Sequence, residues 1–90
     1  GEYLYNMEML PEFRSLNDSD IADVKNTGGP KAGSMTAAWF LREFINEKVE
    51  WVHCDIAATA FRTEAQASGI ESIGGTGVGV RTLAHLLSEL

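Results

Sequence analysis

Two side chains of the kinds that bind metals or move protons stand two positions apart in a short apolar run. In Trp51-Val52-His53-Cys54-Asp55-Ile56-Ala57, the spacing of His53 and Asp55 puts both on one side of a β-strand. Together they could hold one divalent ion. Zinc and manganese sites usually need three or four ligands, and no third candidate lies nearby in sequence. The simpler reading is a polar pair at the end of a buried strand, with Asp55 accepting backbone N–H bonds. Cys54 beside His53 suggests a thiol–imidazole couple. Neighbouring strand residues point to opposite faces, so that pair does not meet.

Two further clusters could do chemistry. Asp18, Asp20 and Asp23 offer three carboxylates for acid–base work, yet turn solvation and helix capping account for them as well. Gly74-Gly75-Thr76-Gly77-Val78-Gly79 ahead of a helix resembles a phosphate cradle. It lacks the Lys-Ser/Thr of a P-loop, no clear strand leads into it, and the full G-x-G-x-x-G with a downstream acid is absent. Tight packing of the helix start against a neighbouring strand is the simpler expectation.

The elements that must position these residues follow from periodicity and punctuation. Pro11 opens a short helix through Glu12, Phe13, Arg14 and Leu16. Residues 20–24 alternate imperfectly and predict a short strand or extended segment. Residues 26–33 stack glycines around Pro30 and predict a loop. Ser34 stands at an N-cap position ahead of a helix over residues 35–45. There Ala37, Phe40, Leu41, Phe44 and Ile45 share one apolar face, widened by Trp39, while Arg42, Glu43 and Asn46 are wet. Residues 51–57 predict an interior strand apolar on both faces. Residues 62–75 predict a loop. A last helix runs from near Thr76 to Leu90, with Val80, Leu83, Leu87 and Leu90 as its stripe and Arg81, His85 and Glu89 off it. The fold class is α/β: two main helices and a central strand, a fragment of a mixed, helix-sandwiched sheet. A lone strand cannot pair with itself, so most of that sheet is expected to come from elsewhere.

Bulk properties bound the rest. Ninety residues make at most one domain, burying about 60–65% of the unfolded surface. Apolar content of 44% and charged content of 22% are those of a globular domain, not a disordered tail. The net charge of −6 and pI near 4.7 oppose nucleic acid and anionic lipid as partners. The four arginines, at 14, 42, 62 and 81, form no stripe. No apolar run approaches the roughly 18–20 residues that span a bilayer, and no secretory signal pattern opens the chain. Cys54 is the only cysteine, which excludes an internal disulfide and fits a reducing, cytoplasmic home.

Four segments in series carry a family resemblance. Residues 21–29 (Ile-Ala-Asp-Val-Lys-Asn-Thr-Gly-Gly) are followed by residues 32–44 (Ala-Gly-Ser-Met-Thr-Ala-Ala-Trp-Phe-Leu-Arg-Glu-Phe), then by 51–57 and by 75–83 (Gly-Thr-Gly-Val-Gly-Val-Arg-Thr-Leu). In this order and spacing they resemble the end of the leucyl (cytosol) aminopeptidase family, over about residues 7 to 90. The resemblance implies that residues 1–90 are the C-terminal part of one catalytic domain, an α/β sheet sandwiched by helices and assembled as a homohexamer. It implies a peptide substrate shortened from its amino terminus and two divalent ions, manganese or zinc. The ions would share an activated water at a separation of about 3.5–4 Å. The family's metal-ligand motif, Asn-Thr-Asp-Ala-Glu-Gly-Arg, and its lysines do not occur here. They are expected upstream of Gly1, so no catalytic or metal residue transfers, and this stretch alone is expected to be inactive.

Part of the substrate pocket does transfer by resemblance. The alanine of Asp-Ile-Ala and the residue three positions on, Ala57 and Ala60, would line the pocket for the amino-terminal side chain. Thr27 would line the next subsite. The family's glycine after Asp-Ile-Ala is Ala58 here, and in some members Ala60 is Met and Thr27 is Ile. Packing of a strand end is the competing reading of all three. Two rivals stand beside the enzyme reading: an autonomous interaction module and an inactive relative serving as a scaffold.

Overall fold

A computed structural model describes residues 1–64, 69 and 72–90. The chain divides into two compact units, one of residues 6–54 and one of residues 1–5 with 55–90.

In the unit of residues 6–54, a 3-10 helix covers Pro11–Asn17, with proline at its first position as expected. Proline has a fixed φ and no N–H to leave unpaired there. Phe13 N–H closes the first turn on Leu10 O at 3.2 Å. A loop over residues 18–32 follows. Residues 20–24, expected as a strand or extended segment, form a run of bends. Helix α1 covers Gly33–Arg42.

The start of α1 differs from the expectation. Ala32, in the left-handed region at φ 54°, is the N-cap, and Ser34 lies inside the first turn. The end comes early as well. Glu43, Phe44 and Ile45 donate to the carbonyls three residues back at 3.1–3.2 Å, a tightened last turn. The side chain of Arg42 reaches Ile45 O at 2.8 Å.

α1 packs on the 3-10 helix. Met35 and Ala38 are buried, with Asn17 and Thr36 as buried polar partners. Trp39 Nε1 donates to Leu10 O at 3.0 Å, and the Arg14 guanidinium lies over the Trp39 ring at 5.8 Å. Arg14 also grips Glu43 with two hydrogen bonds of 2.8 and 3.0 Å. The buried face is therefore not the expected stripe: Ala37 and Leu41 are exposed, and Phe44 is exposed while its ring meets Phe40 edge-on at 5.3 Å. Hydrophobic spacing names the apolar side chains, but burial depends on what lies opposite, and the 3-10 helix covers the Met35 and Ala38 side.

In the unit of residues 1–5 and 55–90, residues 57–60 turn, with Thr59 and Ala60 N–H both donating to Ile56 O at 3.0 and 2.9 Å. Strand β1 (Phe61–Arg62) pairs antiparallel with β2 (Gly74–Gly75), Phe61 opposite Gly75 and Arg62 opposite Gly74. Helix α2 covers Val80–Ser88, shorter than the expected span from Thr76 to Leu90. Its expected stripe is exposed: Val80, Leu83, Leu87 and Leu90.

The α/β class holds: the described residues form three helices and a two-stranded sheet. The central strand does not lie where it was expected. Residues 51–56 carry no strand pairing, and the sheet is built from 61–62 and 74–75, at the start and the end of the stretch expected as a loop. An apolar run has the content of an interior strand, but it becomes one only beside another strand. Residues 65–68, 70 and 71 of the expected loop lie outside the described residues.

Candidate functional site

Ala57 and Ala60 share one turn, built by the residues before it. Asp55 Oδ1 accepts the Ala57 N–H at 3.0 Å, the backbone-bonding role expected of this carboxylate. Ile56 O then gathers the Thr59 and Ala60 amides. Thr76 holds the turn from outside, its amide donating to Ala60 O at 2.9 Å and its hydroxyl to Thr59 O at 2.6 Å. Ala57 is exposed and Ala60 half-buried. The stretch between Ala58 and β1 is tied again by Arg62, which reaches Ala58 O at 3.2 Å. Both alanines thus sit on a turn whose backbone is held by hydrogen bonds.

Thr27 belongs to the other unit. It is exposed in the loop ahead of α1, between Lys25, whose amide donates to Asn17 O at 2.7 Å, and Gly28. A Cβ at Gly28 would overlap Asn17 Oδ1 and lie 2.7 and 2.8 Å from Thr36 Cγ2 and Cβ. Only glycine allows this approach.

The other candidates resolve into structure. His53 and Trp51, two residues apart, stack at 6.1 Å and 27°. Ser19 Oγ accepts the Ile21 and Ala22 amides at 3.3 and 3.1 Å, in the middle of the exposed Asp18, Asp20 and Asp23. Among the described residues no three His, Cys, Asp or Glu side chains converge to hold a metal. The residues present do not fit a two-metal centre, and no step is drawn through one.

The glycine run serves an end that its sequence does not announce. The side chain of Glu2, 8% exposed, lies at the first turn of α2. Its Oε1 accepts the Gly79 N–H at 3.0 Å, its Oε2 accepts the Thr82 N–H at 3.0 Å, and the Thr82 hydroxyl donates to Oε2 as well. Arg81 Nε stands 3.9 Å from Oε1. The Thr82 hydroxyl, the two amides and the Arg81 charge hold the Glu2 carboxyl below its ordinary range, with burial opposing them. A helix N-terminus attracts anions through its unpaired N–H groups, and here the anion is the chain's own. The expected tight packing of the helix start is absent: a Cβ at Gly79 would meet nothing within 4 Å. Its φ of 90° is what calls for glycine.

Glu2 and Asn17 both escape a reading of the sequence. Glu2 acts on residues 77 and 80 positions away, beyond any local motif. Asn17 stands in the polar run Asn17-Asp18-Ser19-Asp20, where nothing marks it as buried.

The model of the cytosol aminopeptidase family's catalytic domain matches residues 1–84. The chain belongs to this family. It is 46% identical over 97% of its length to a "Probable cytosol aminopeptidase" of Geobacter sulfurreducens, and 44% identical over its full length to one of Alkaliphilus oremlandii. A third from Xanthobacter autotrophicus is 47% identical over 99% of the chain. The chain spans 17% of the length of each of these cytosol aminopeptidases. No solved structure matches it. No helix of the described residues is long and apolar enough to cross a membrane.

Proposed function

We propose that this chain is the C-terminal part of the catalytic domain of an aminopeptidase that removes amino-terminal residues from peptides. Two divalent ions, manganese or zinc, would activate the attacking water, held by the rest of the protein in a cytoplasmic homohexamer. The family match over residues 1–84 carries this reading. Within it, the part of this chain is to shape the substrate pocket. Ala57 and Ala60 would bound the space for the amino-terminal side chain, and Thr27 would flank the residue after the scissile bond. The fixed backbone of the 57–60 turn suits a pocket wall, because binding is more selective when the wall does not move. The exposed faces of Leu41 and Phe44 on one helix and Leu83 and Leu87 on the other suit a part that packs within a larger domain.

The test is Ala60→Phe in the full-length enzyme. The phenyl ring fills the space that Ala60 leaves, and overfilling a fitted site costs about 1–3 kcal/mol. The ratio of kcat/KM for leucyl over alanyl substrates falls roughly tenfold or more, with metal content normal. An unchanged ratio at full metal occupancy removes Ala60 from the pocket. Full-length protein that hydrolyses no peptide overturns the aminopeptidase reading, and favours a scaffold or an interaction module.

A further inference from the structure

Asn17 is the most buried polar residue described, 3% exposed, and it joins three parts of its unit. It ends the 3-10 helix. Its backbone oxygen accepts the Lys25 N–H at 2.7 Å, which closes the loop of residues 18–25 onto it. Its Nδ2 donates to Thr36 O in α1 at 2.9 Å. Its Oδ1 is buried with no donor, and the Gly28 backbone lies against that oxygen.

A buried amide that uses only half of its capacity is a poor choice for stability. The unpaired oxygen carries a desolvation cost that an apolar side chain would not. What Asn17 supplies is direction, since a hydrogen bond fixes an orientation and apolar contact does not. Its contacts bracket two residues, Asn26 and Thr27. Lys25 is bonded to its backbone two positions before Thr27, and Gly28 rests on its side chain one position after.

From this bracketing we infer that Asn17 is a positioning residue that fixes Thr27 at the subsite for the residue after the scissile bond. The inference rests on the pocket role proposed above for Thr27. Asn17 touches no substrate. Its backbone oxygen ties Lys25, as any residue's would, and its side chain, bonded to Thr36 O of α1, is what meets Gly28 beside Thr27.

The experiment compares leucyl-leucine with leucinamide in the full-length enzyme. The dipeptide fills the subsite, and the amide has nothing beyond the scissile bond and is the internal reference. Asn17→Leu keeps the branched shape, adds bulk, and removes both the donor and the unpaired oxygen. The ratio of kcat/KM for dipeptide over amide should fall about five- to tenfold, roughly the worth of one buried hydrogen bond. The loss should appear in KM for the dipeptide. Gly28→Ala presses on the same oxygen from the other side, should lower the same ratio, and carries the test if Asn17→Leu does not fold. Thr27→Phe separates the two ideas. If it shifts the ratio while Asn17→Leu and Gly28→Ala leave it unchanged, Asn17 is packing and the inference is overturned. If Thr27→Phe itself leaves the ratio unchanged, Thr27 is not at the subsite and the inference falls with it. Wild-type enzyme that cleaves neither compound refutes the aminopeptidase reading instead.

Discussion

The carboxylate of Glu2 accepts from two amides and a hydroxyl of α2, so the fold favours its charged form. Its pKa lies below the ordinary value of 4.5, first because of the Thr82 hydroxyl. The stabilisation from a lowered carboxyl pKa is complete above the unfolded value and is lost as pH falls through the folded one. Replacing Glu2 by Gln in the full-length protein should therefore lower Tm most at neutral pH. The gap between wild type and E2Q should narrow as pH falls below the ordinary carboxyl range and the wild-type carboxyl takes up its proton. Melting curves of both proteins from pH 7 to pH 3 measure it. A gap of constant size would assign the contact to shape and neutral hydrogen bonding. Glu43 is held low in the same way, chiefly by its hydrogen bond from Arg14. That pair lies at the surface, where solvent and salt weaken it.

Gly79 isolates a backbone effect at the scale of a helix. It caps α2 at φ 90° with open space where a side chain would stand. Gly79→Ala adds conformational strain and no clash, at a cost of about 1–2 kcal/mol. Amide exchange over residues 80–88 of the full-length protein should quicken roughly five- to thirtyfold, with exchange over the 3-10 helix unchanged. Equal quickening at both places would mean a global loss of stability. The elements divide by how local their cause is. The 3-10 helix was legible because Pro11 alone sets its start, and both longer helices were legible from their apolar spacing. Their limits were not, because a left-handed residue decides each start and Ala32 gives no sign of being one. The pairing of 61–62 with 74–75 is two residues long on each side, too short for any alternation to show. The run from Trp51 to Ala57 has the composition of a strand, and no partner for it lies among the described residues. Of the residues proposed to line the pocket, Ala57 and Ala60 stood out only through the family resemblance. The hydrogen bonds that hold their turn come from Asp55, whose backbone-bonding role was expected, and from Thr76, which spacing alone could not connect.

As a whole molecule the chain keeps little of its apolar surface from water. Met35 and Ala38 are the only buried hydrophobic residues among those described, while Val52, Phe44, Leu87 and Leu90 are 67–92% exposed. Residues 1–90 expressed alone should self-associate or stay molten, since faces of this size are rarely left open on a monomer. Sedimentation and amide spectra decide between the outcomes. A dispersed monomeric spectrum with a cooperative melt would favour an autonomous module over part of a larger domain. The Glu2 contact adds an order in time. During synthesis, Glu2 is made 77 residues before the Gly79 amide that it will accept, an interval of about 4–15 s at ribosomal rates. Residues 6–54, which contain every contact of their own unit, are complete long before that. A nascent chain halted before Gly79 thus carries the Glu2 carboxylate without either of the amides that it will accept.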